Sequence, residues 1–150
     1  MMVLMTEPSC DGLGRTTARL ARVTERALGE IGLSVPQYRV LGVLADGSAA
    51  ATAVAEHLSV SKPNVTALVD GLVERGWVER RPDAVDRRRV SHVLTEAGRG
   101  ALAAADEAVE TRLTGVLGQL PVAKRRQAVT GLALWSEGLD AARAARVSVR

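Results

Sequence analysis

The sequence predicts a mainly α-helical fold with one small β-hairpin, and composition, periodicity and one basic stretch lead to that class. Apolar residues make up 47% of the 150 residues but aromatic residues only 2%. A core built from Leu, Val and Ala suits packed helices better than a β-sandwich. Several long segments repeat apolar residues with a helical period, and one arginine-rich segment near residue 80 has the pattern of a hairpin. At this length we expect one domain.

The clearest helix begins after Ser61 and ends before Gly76. Its apolar residues recur at i, i+3, i+4, i+7 and i+8, and they are Val65, Leu68, Val69, Leu72 and Val73. We expect Ser61 to accept a hydrogen bond from the first free backbone N–H groups. Gly76 has the residue type that ends a helix at the C′ position. The opposite face is polar, so one face is predicted to pack on a core and the other to face outward.

A short helix and a tight turn precede this helix. We expect Thr52 to cap about two helical turns that end near His57 and Leu58. Residues 49–51 form a short segment that could be a third strand pairing with the hairpin. The pair of helices has the layout of a helix-turn-helix.

A basic hairpin follows the second helix. Residues 77–81 read as a strand, residues 82–86 as a turn and residues 87–94 as a return strand that enters Thr95, the expected cap of the next helix. Six arginines face three carboxylates between Arg75 and Arg89, a local surplus of three positive charges. His92 is expected to be a packed side chain of the return strand. A helix-turn-helix followed by a basic hairpin is a winged helix.

Long helices are predicted on both sides of this unit. Residues 1–10 look like a flexible lead-in, and Gly32 is the expected end of the first long helix. Ser34 and Gln37 have capping-box spacing at the start of the second helix, which runs to about residue 46. The apolar stripe of the first helix is Leu13, Leu20, Val23, Ala27 and Ile31.

Two further helices end the chain, and Pro121 separates them. Glycines weaken the first of the two, which therefore needs tertiary support. The apolar period of the last helix falls on Val129, Leu132, Trp135 and Leu139. These helices have more apolar surface than a small winged helix can cover, so we expect Leu13, Leu20 and that last stripe to form a dimer interface.

Five segments in this order resemble the MarR family of bacterial transcription regulators. They are VPQY at 35–38, LSVS at 58–61, VTALVD at 65–70, DAVDRR at 83–88 and LTEAG at 94–98. The resemblance covers about residues 13–139. It implies a single unit over 11–145, with a winged helix-turn-helix at about 35–98 and dimerisation helices at 11–33 and 99–145.

The resemblance also implies how DNA is contacted. Asp86 would orient the wing through arginine pairing, and Arg88 would reach the minor groove. The residues expected to contact DNA are Ser61, Lys62, Pro63, Asn64, Thr66, Ala67, Arg87, Arg88 and Arg89. Asn can pair with adenine, and Lys can reach guanine or a phosphate. Such a polar helix face can also simply meet water, but the capped helix before it and the basic hairpin after it favour DNA binding.

The function expected from these residues is sequence-specific binding to a pseudo-palindromic operator by a homodimeric regulator, most simply a repressor. The resemblance further implies a pocket between the dimer helices and the winged helix, where a small apolar or aromatic effector would bind and release the protein from DNA. An alternative is a thiol switch at Cys10, because the peroxide-sensing branch of the family places a lone cysteine at the start of its first helix. The tyrosines of that branch are missing here except Tyr38, and Asp11 disfavours a thiolate.

Other classes of function find little support in the sequence. No segment approaches the roughly 18 apolar residues that span a bilayer, so a cytoplasmic protein is expected. Phosphate loops, nucleophile elbows and zinc-ligand spacings are missing, and we expect neither catalysis nor a cofactor nor a metal. A pure protein-interaction module would explain the long helices but not the basic hairpin.

Overall fold

The computed structural model of the chain describes residues 9–47, 49–83, 86 and 88–147. Within these residues the helices are α1 (Leu13–Glu30), α2 (Val35–Ala45), α3 (Ala51–Leu58), α4 (Lys62–Glu74), α5 (Glu96–Leu117) and α6 (Val122–Val147). The strands are β1 (Ala49–Ala50), β2 (Val78–Pro82) and β3 (Val90–Leu94). The predicted mainly α-helical class with a small hairpin is confirmed. No helix in the described part is long and apolar enough to cross a membrane. Most of the flexible lead-in predicted for residues 1–10 lies outside the described residues.

Local sequence signals set several helix ends as predicted. The Ser34 hydroxyl accepts from the Gln37 backbone N–H at 3.3 Å, and the Gln37 side chain accepts from the Ser34 N–H at 3.2 Å. The Thr95 hydroxyl caps α5 by accepting from the Gly98 N–H at 3.0 Å. Gly76, with φ of 70°, ends α4 in the left-handed region that favours glycine. These bonds satisfy backbone groups that a helix end otherwise leaves without partners.

Two predicted caps are wrong. Ser61 occupies the N-cap position of α4, but its side chain makes no capping hydrogen bond. Pro63 is the second residue of that helix and lacks an N–H, which removes one of the donors that a cap accepts from. Thr52 does not cap α3, because the helix begins at Ala51 with Ala50 as its N-cap. There the chain passes directly from β1 into the helix.

The sheet is antiparallel, with strand order β1-β3-β2. The third strand allowed for residues 49–51 is present at Ala49 and Ala50, which pair with His92 and Ser91. His92 is 6% exposed, and its Nδ1 donates to the Ala49 carbonyl oxygen at 3.1 Å. The interpretation of His92 as a packed side chain is therefore confirmed.

The predicted return strand begins later than expected. It was expected to start at residue 87, but β3 starts at Val90, which pairs with Pro82. Beyond this pair the Asp83 N–H still donates to the Arg89 carbonyl at 2.9 Å, but the Arg89 N–H donates to the Asp86 carbonyl at 2.8 Å, so the ladder passes into the turn there. Arg88 and Arg89 consequently lie in the turn and do not alternate between the two faces of a strand. Arg87 lies outside the described residues.

One apolar core joins the first five helices and the sheet. Its largest fully buried side chains include Leu28 of α1, Leu41 of α2, Leu72 of α4 and Leu94 of β3. Ala27 and Ala105 are fully buried where α1 packs against α5. Within the described residues, α6 contributes no side chain to this core. The last helix therefore projects an apolar stripe that its own chain leaves exposed.

Gly98 allows α5 to begin against the chain that enters β2. A methyl group at Gly98 would overlap the backbone carbonyl of Trp77. The same carbonyl accepts from the Thr95 N–H at 3.1 Å, and the Thr95 hydroxyl donates to the Gly76 carbonyl at 2.7 Å. The start of α5 is therefore bonded directly to the segment between α4 and the hairpin.

Candidate nucleic-acid interface

The outer face of α4 is polar and exposed, as its periodicity predicts. Val65, Val69 and Leu72 are fully buried on the inner face. The outer residues Ser61, Lys62, Pro63, Asn64, Thr66 and Ala67 are all exposed. The Thr66 hydroxyl donates to the Lys62 carbonyl at 3.1 Å, which leaves its oxygen lone pairs as acceptors. The face thus offers amide, hydroxyl and ammonium groups at the first two turns of one helix.

A tight turn sets the angle between α3 and α4. Ser59 adopts the left-handed conformation, with φ of 56° and ψ of 43°. It is the one non-glycine residue with positive φ among the described residues. The turn is held by the Val60 N–H, which donates to the Ala55 carbonyl at 3.1 Å. The short helix and the polar helix are therefore joined as in a helix-turn-helix.

An ion pair that the sequence analysis did not anticipate links α4 to the hairpin. Asp70 of α4 pairs with Arg80 of β2, and both side chains are about half exposed. Asp70 belongs to the polar side of α4 that the sequence predicts to face outward. The pair engages one of the two carboxylates of α4, the other being the exposed Glu74 in its last turn, so the first turns of the outer face present less negative charge than the sequence implies.

The expected pairing of Asp86 with arginine is present in the hairpin turn. Asp86 Oδ1 accepts from the Arg88 N–H at 3.0 Å, and Asp86 Oδ2 lies 3.5 Å from Arg89 Nε. The Arg89 N–H also donates to the Asp86 carbonyl at 2.8 Å. Arg88 itself is exposed and makes no ion pair with the described residues. Asp86 therefore holds the backbone of the turn while the Arg88 guanidinium stays available.

Asp83 is a second organising residue of the turn, and the sequence analysis missed it. Its Oδ1 accepts from the Asp86 N–H at 3.0 Å, and its Oδ2 accepts from the Ser91 hydroxyl at 2.6 Å. Its own N–H donates to the Arg89 carbonyl at 2.9 Å. The signal available in the sequence was Asp directly after Pro82, a usual start of a turn. Asp83 and Asp86 together bond the two sides of the hairpin near its tip.

The predicted dimerisation residues are exposed in the single chain. Val129, Leu132, Trp135 and Leu139 are each more than half exposed, at 51% to 68%. They recur at i, i+3, i+6 and i+10 and so share one side of α6. At the other end of the chain Leu13 is 39% exposed, and Leu20 is half-buried. An exposed apolar stripe of this length is typical of a surface that contacts another molecule.

Cys10 lies just before α1 and is exposed. Its carbonyl accepts from the Leu13 N–H at 3.1 Å. Tyr38, the only tyrosine of the chain, donates its hydroxyl hydrogen bond to Asp106 in α5. The tyrosine that could have supported a thiol sensor is thus bonded to a different group.

Comparisons with known proteins agree with this helix-turn-helix and hairpin. A sequence model described as the MarR family matches residues 31–89, which run from the end of α1 to the hairpin. The HTH-type transcriptional regulator YfiV of Bacillus subtilis (strain 168) is 30% identical over 129 residues, which cover 85% of this chain and 79% of YfiV. The HTH-type transcriptional repressor YetL of the same organism is 32% identical over 87 residues, 56% of this chain. That match spans about half of YetL, 52% of its length.

Solved structures of a transcriptional repressor also superpose on this chain. The transcriptional repressor CouR bound to a 23-mer DNA duplex superposes with a TM-score of 0.69 at 26% identity, over 88% of this chain and 99% of CouR. CouR from Rhodococcus jostii RHA1 bound to p-coumaroyl-CoA gives a TM-score of 0.66, also at 26% identity, over 85% of this chain and 93% of CouR. With the helix-turn-helix, the hairpin and the match to YfiV, these findings show that the chain belongs to the MarR family of transcription regulators.

Proposed function

We propose that this protein is a homodimeric repressor that binds a pseudo-palindromic operator and is released by a small effector. The observation that carries the proposal is the exposed polar face of α4 beside a hairpin whose tip is bonded by Asp83 and Asp86. The outer face of α4 and the hairpin tip thereby form two DNA-contacting surfaces on one folded unit. CouR, at 26% identity, is a repressor with a DNA-bound structure, which supports the same assignment here.

In this function α4 enters the major groove and the hairpin lies along the neighbouring minor groove. Asn64 pairs with a base, and Ser61, Thr66 and Lys62 contact base edges or phosphates. The backbone at Pro63 and Ala67 gives close approach without a long side chain. Arg88 reaches the minor groove, with Arg87 and Arg89 at the phosphates beside it. Base contacts give sequence preference, and phosphate contacts give most of the affinity.

Two copies are required for a palindromic site. The apolar stripe of α6, with Leu13 and Leu20 of α1, is the surface that we assign to the second copy. Isologous pairing repeats the reading unit by a two-fold axis, so half-sites are expected about one helical turn apart. The proposal contains no catalytic step, and the place of action is the bacterial cytoplasm, where the operator lies.

The experiment is a footprint and gel-shift titration with the DNA upstream of the gene that encodes this chain. We expect a protected, approximately symmetric site bound by one dimer. Asn64→Ala should relax base preference at one position in each half-site, whereas Arg126→Ala, on the exposed surface of α6, serves as the control. Protection of a single asymmetric half-site, or binding with no sequence preference, would contradict the proposal.

A further inference from the structure

Helix α1 carries a row of exposed arginines on one side. The row, which we call the arginine stripe, consists of Arg15, Arg19, Arg22 and Arg26. These residues recur at i, i+4, i+7 and i+11, so they lie within about 60° of one another around the helix axis and extend over about 17 Å of its length. The stripe faces away from the side of α1 on which Ala27 and Leu28 are fully buried. It is therefore a continuous cationic surface that takes no part in packing the core.

The charge of this part of α1 is almost wholly positive. Between residues 13 and 29 the four arginines are accompanied by one carboxylate, Glu25, which leaves three positive charges. The formal net charge of the whole chain at pH 7 is also +3, so the other sixteen basic residues are matched by sixteen acidic ones. Like charges three or four residues apart destabilise a helix. An anionic partner would relieve that repulsion.

The stripe is not neutralised by its own chain. Within the described residues none of its four guanidinium groups makes an ion pair. Glu30, the carboxylate that ends α1, pairs with Arg112 of α5 instead. In the hairpin, by contrast, Arg80 and Arg89 are both paired with carboxylates. The donors of the stripe therefore remain available to an acceptor on another molecule.

Duplex DNA has the charge spacing that this surface fits. A guanidinium can bond a phosphate through two parallel N–H donors. A length of about 17 Å corresponds to about five base pairs, so four phosphates of one duplex lie within reach of the four arginines. Ala18 and Gly29, two exposed residues beside the stripe, have a methyl group and no side chain. A phosphate backbone can therefore approach the helix closely.

We propose that the arginine stripe binds a second segment of duplex DNA, without sequence preference, while α4 and the hairpin hold the operator. α1 packs on α5 and α2, so the stripe and the operator contacts lie on different elements. A protein bound to its operator meets neighbouring parts of the same DNA at high effective concentration, and a weak second contact is then sufficient. The role beside an operator rests on the proposed function, whereas the DNA-binding surface itself does not.

The surface is tested by fluorescence anisotropy on the full chain saturated with unlabelled operator DNA. The probe is a short labelled duplex of unrelated sequence. We expect it to bind with a slope of log K against log salt of about −3.6, the value for four neutralised phosphates. Changing all four stripe arginines to Gln should abolish this binding and leave operator affinity at the wild-type value, whereas changing all four to Lys should preserve it. The matched control is Lys124→Gln with Arg126→Gln, two exposed cations at the start of α6.

A second variant changes the charge in the opposite direction. Glu25→Gln removes the one carboxylate between residues 13 and 29, and we expect it to strengthen binding of the unrelated duplex several-fold. Circular dichroism checks that each variant keeps its helices. Poly-L-glutamate at the same charge concentration should bind at least about tenfold more weakly than the duplex, because it does not offer the bidentate phosphate acceptors.

Four results would overturn the inference. They are no binding of the second duplex, full binding in the fourfold Gln variant, no gain in Glu25→Gln, and equal binding of poly-L-glutamate, which would indicate an acidic polypeptide as the partner. The titration is repeated without operator DNA to separate this inference from the proposed function. A chain that has no operator, but whose binding of the unrelated duplex is weakened by the four Gln replacements, contradicts the proposed function and leaves the arginine stripe standing as a DNA-binding surface.

Discussion

The hydroxyl of Tyr38 donates a hydrogen bond to Oδ1 of Asp106 across 2.5 Å. The contact joins α2, which lies under the helix-turn-helix, to α5, which leads away from the hairpin. Burial raises the pKa of Tyr38 from 10.0 to about 12, and the bond to Asp106 and the nearby carboxylates act in the same direction. The hydroxyl is therefore protonated at neutral pH and can donate this hydrogen bond.

This pair predicts a loss of stability in alkali. A folded-state pKa above the unfolded value means that the contribution is complete below pH 10 and is lost as the pH rises toward about 12. Because Tyr38 is the only tyrosine, absorbance at 295 nm follows it alone. We expect a native midpoint near 12 and a midpoint near 10 in denaturant. Tyr38→Phe should show a smaller loss of unfolding free energy across this window. A native midpoint near 10 would contradict the pairing.

Arg88 predicts a salt-dependent part of operator affinity. Its side chain is exposed while its backbone is bonded to Asp86, so Arg88→Ala removes a cation without disturbing the turn. We expect a loss of about 1 to 3 kcal/mol in operator binding and a salt slope smaller by about 1. Fluorescence anisotropy at several salt concentrations measures both, with Arg126→Ala as the control. Unchanged affinity at moderate salt would remove the wing from the interface.

Asp83 predicts an effect on DNA binding without direct contact. Asp83→Ala removes the acceptor for the Ser91 hydroxyl and for the Asp86 N–H. We expect faster hydrogen exchange at the Asp86 amide and weaker operator binding, at nearly unchanged thermal stability. Ser91→Ala breaks only one of the two bonds and should have a smaller effect. Wild-type operator affinity in Asp83→Ala would show that the order of the turn is not needed for binding.

The exposed stripe of α6 predicts the oligomeric state. Trp135→Glu or Leu132→Glu places a charge on the surface assigned to the second copy, and burying an unpaired charge is strongly unfavourable. We expect monomers by light scattering after gel filtration, with much weaker operator binding. Thr130→Glu adds the same charge on the other side of the helix and should leave the dimer intact. A monodisperse dimer of Trp135→Glu would refute the interface.

Cys10 predicts a negative result under oxidant. The thiol is exposed, and the hydroxyl of Tyr38 is bonded to Asp106. Wild type and Cys10→Ser should therefore remain on the operator to the same extent when a reduced sample is treated with hydroperoxide. Rapid release of the wild type alone, reversed by a thiol reductant, would establish a redox switch instead.

The parts of the fold that the sequence predicted are those set by nearby residues. Ser34 and Gln37 form their capping box within four residues, and Gly76 ends α4 through its own backbone conformation. The start of β3 was not predictable from its own residues, because the arginines before Val90 fit a strand as well as a turn. The ladder ends where the Arg89 N–H donates to the Asp86 carbonyl inside the turn, and which residues of the two strands lie opposite each other is not a local property.

The candidate site likewise contains some residues that the sequence predicts and others that it does not. The exposed face of α4 follows from a 3.6-residue period, and Asp86 and Arg88 follow from the family pattern. The ion pair between Asp70 and Arg80 depends on how α4 lies beside β2. The periodicity of the sequence does not predict that arrangement. Arg39 of α2 and Arg143 of α6 line one cavity, and they are brought together only by the path of α6. Residues from distant helices share a wall only after the chain has folded.

Because Gly98 has no side chain, α5 lies directly against the backbone that enters the hairpin, and the two elements are expected to move together. With its first turn in contact with the Trp77 backbone, the 22-residue α5 has no room to pivot where it meets the sheet. A helix of this length is a lever of about 33 Å, so a rotation of about 5° at its far end displaces the other end by about 3 Å. A shift of that size is comparable to the rise of one base pair. A small change in the angle at which two copies pair would therefore change the distance between their two hairpins.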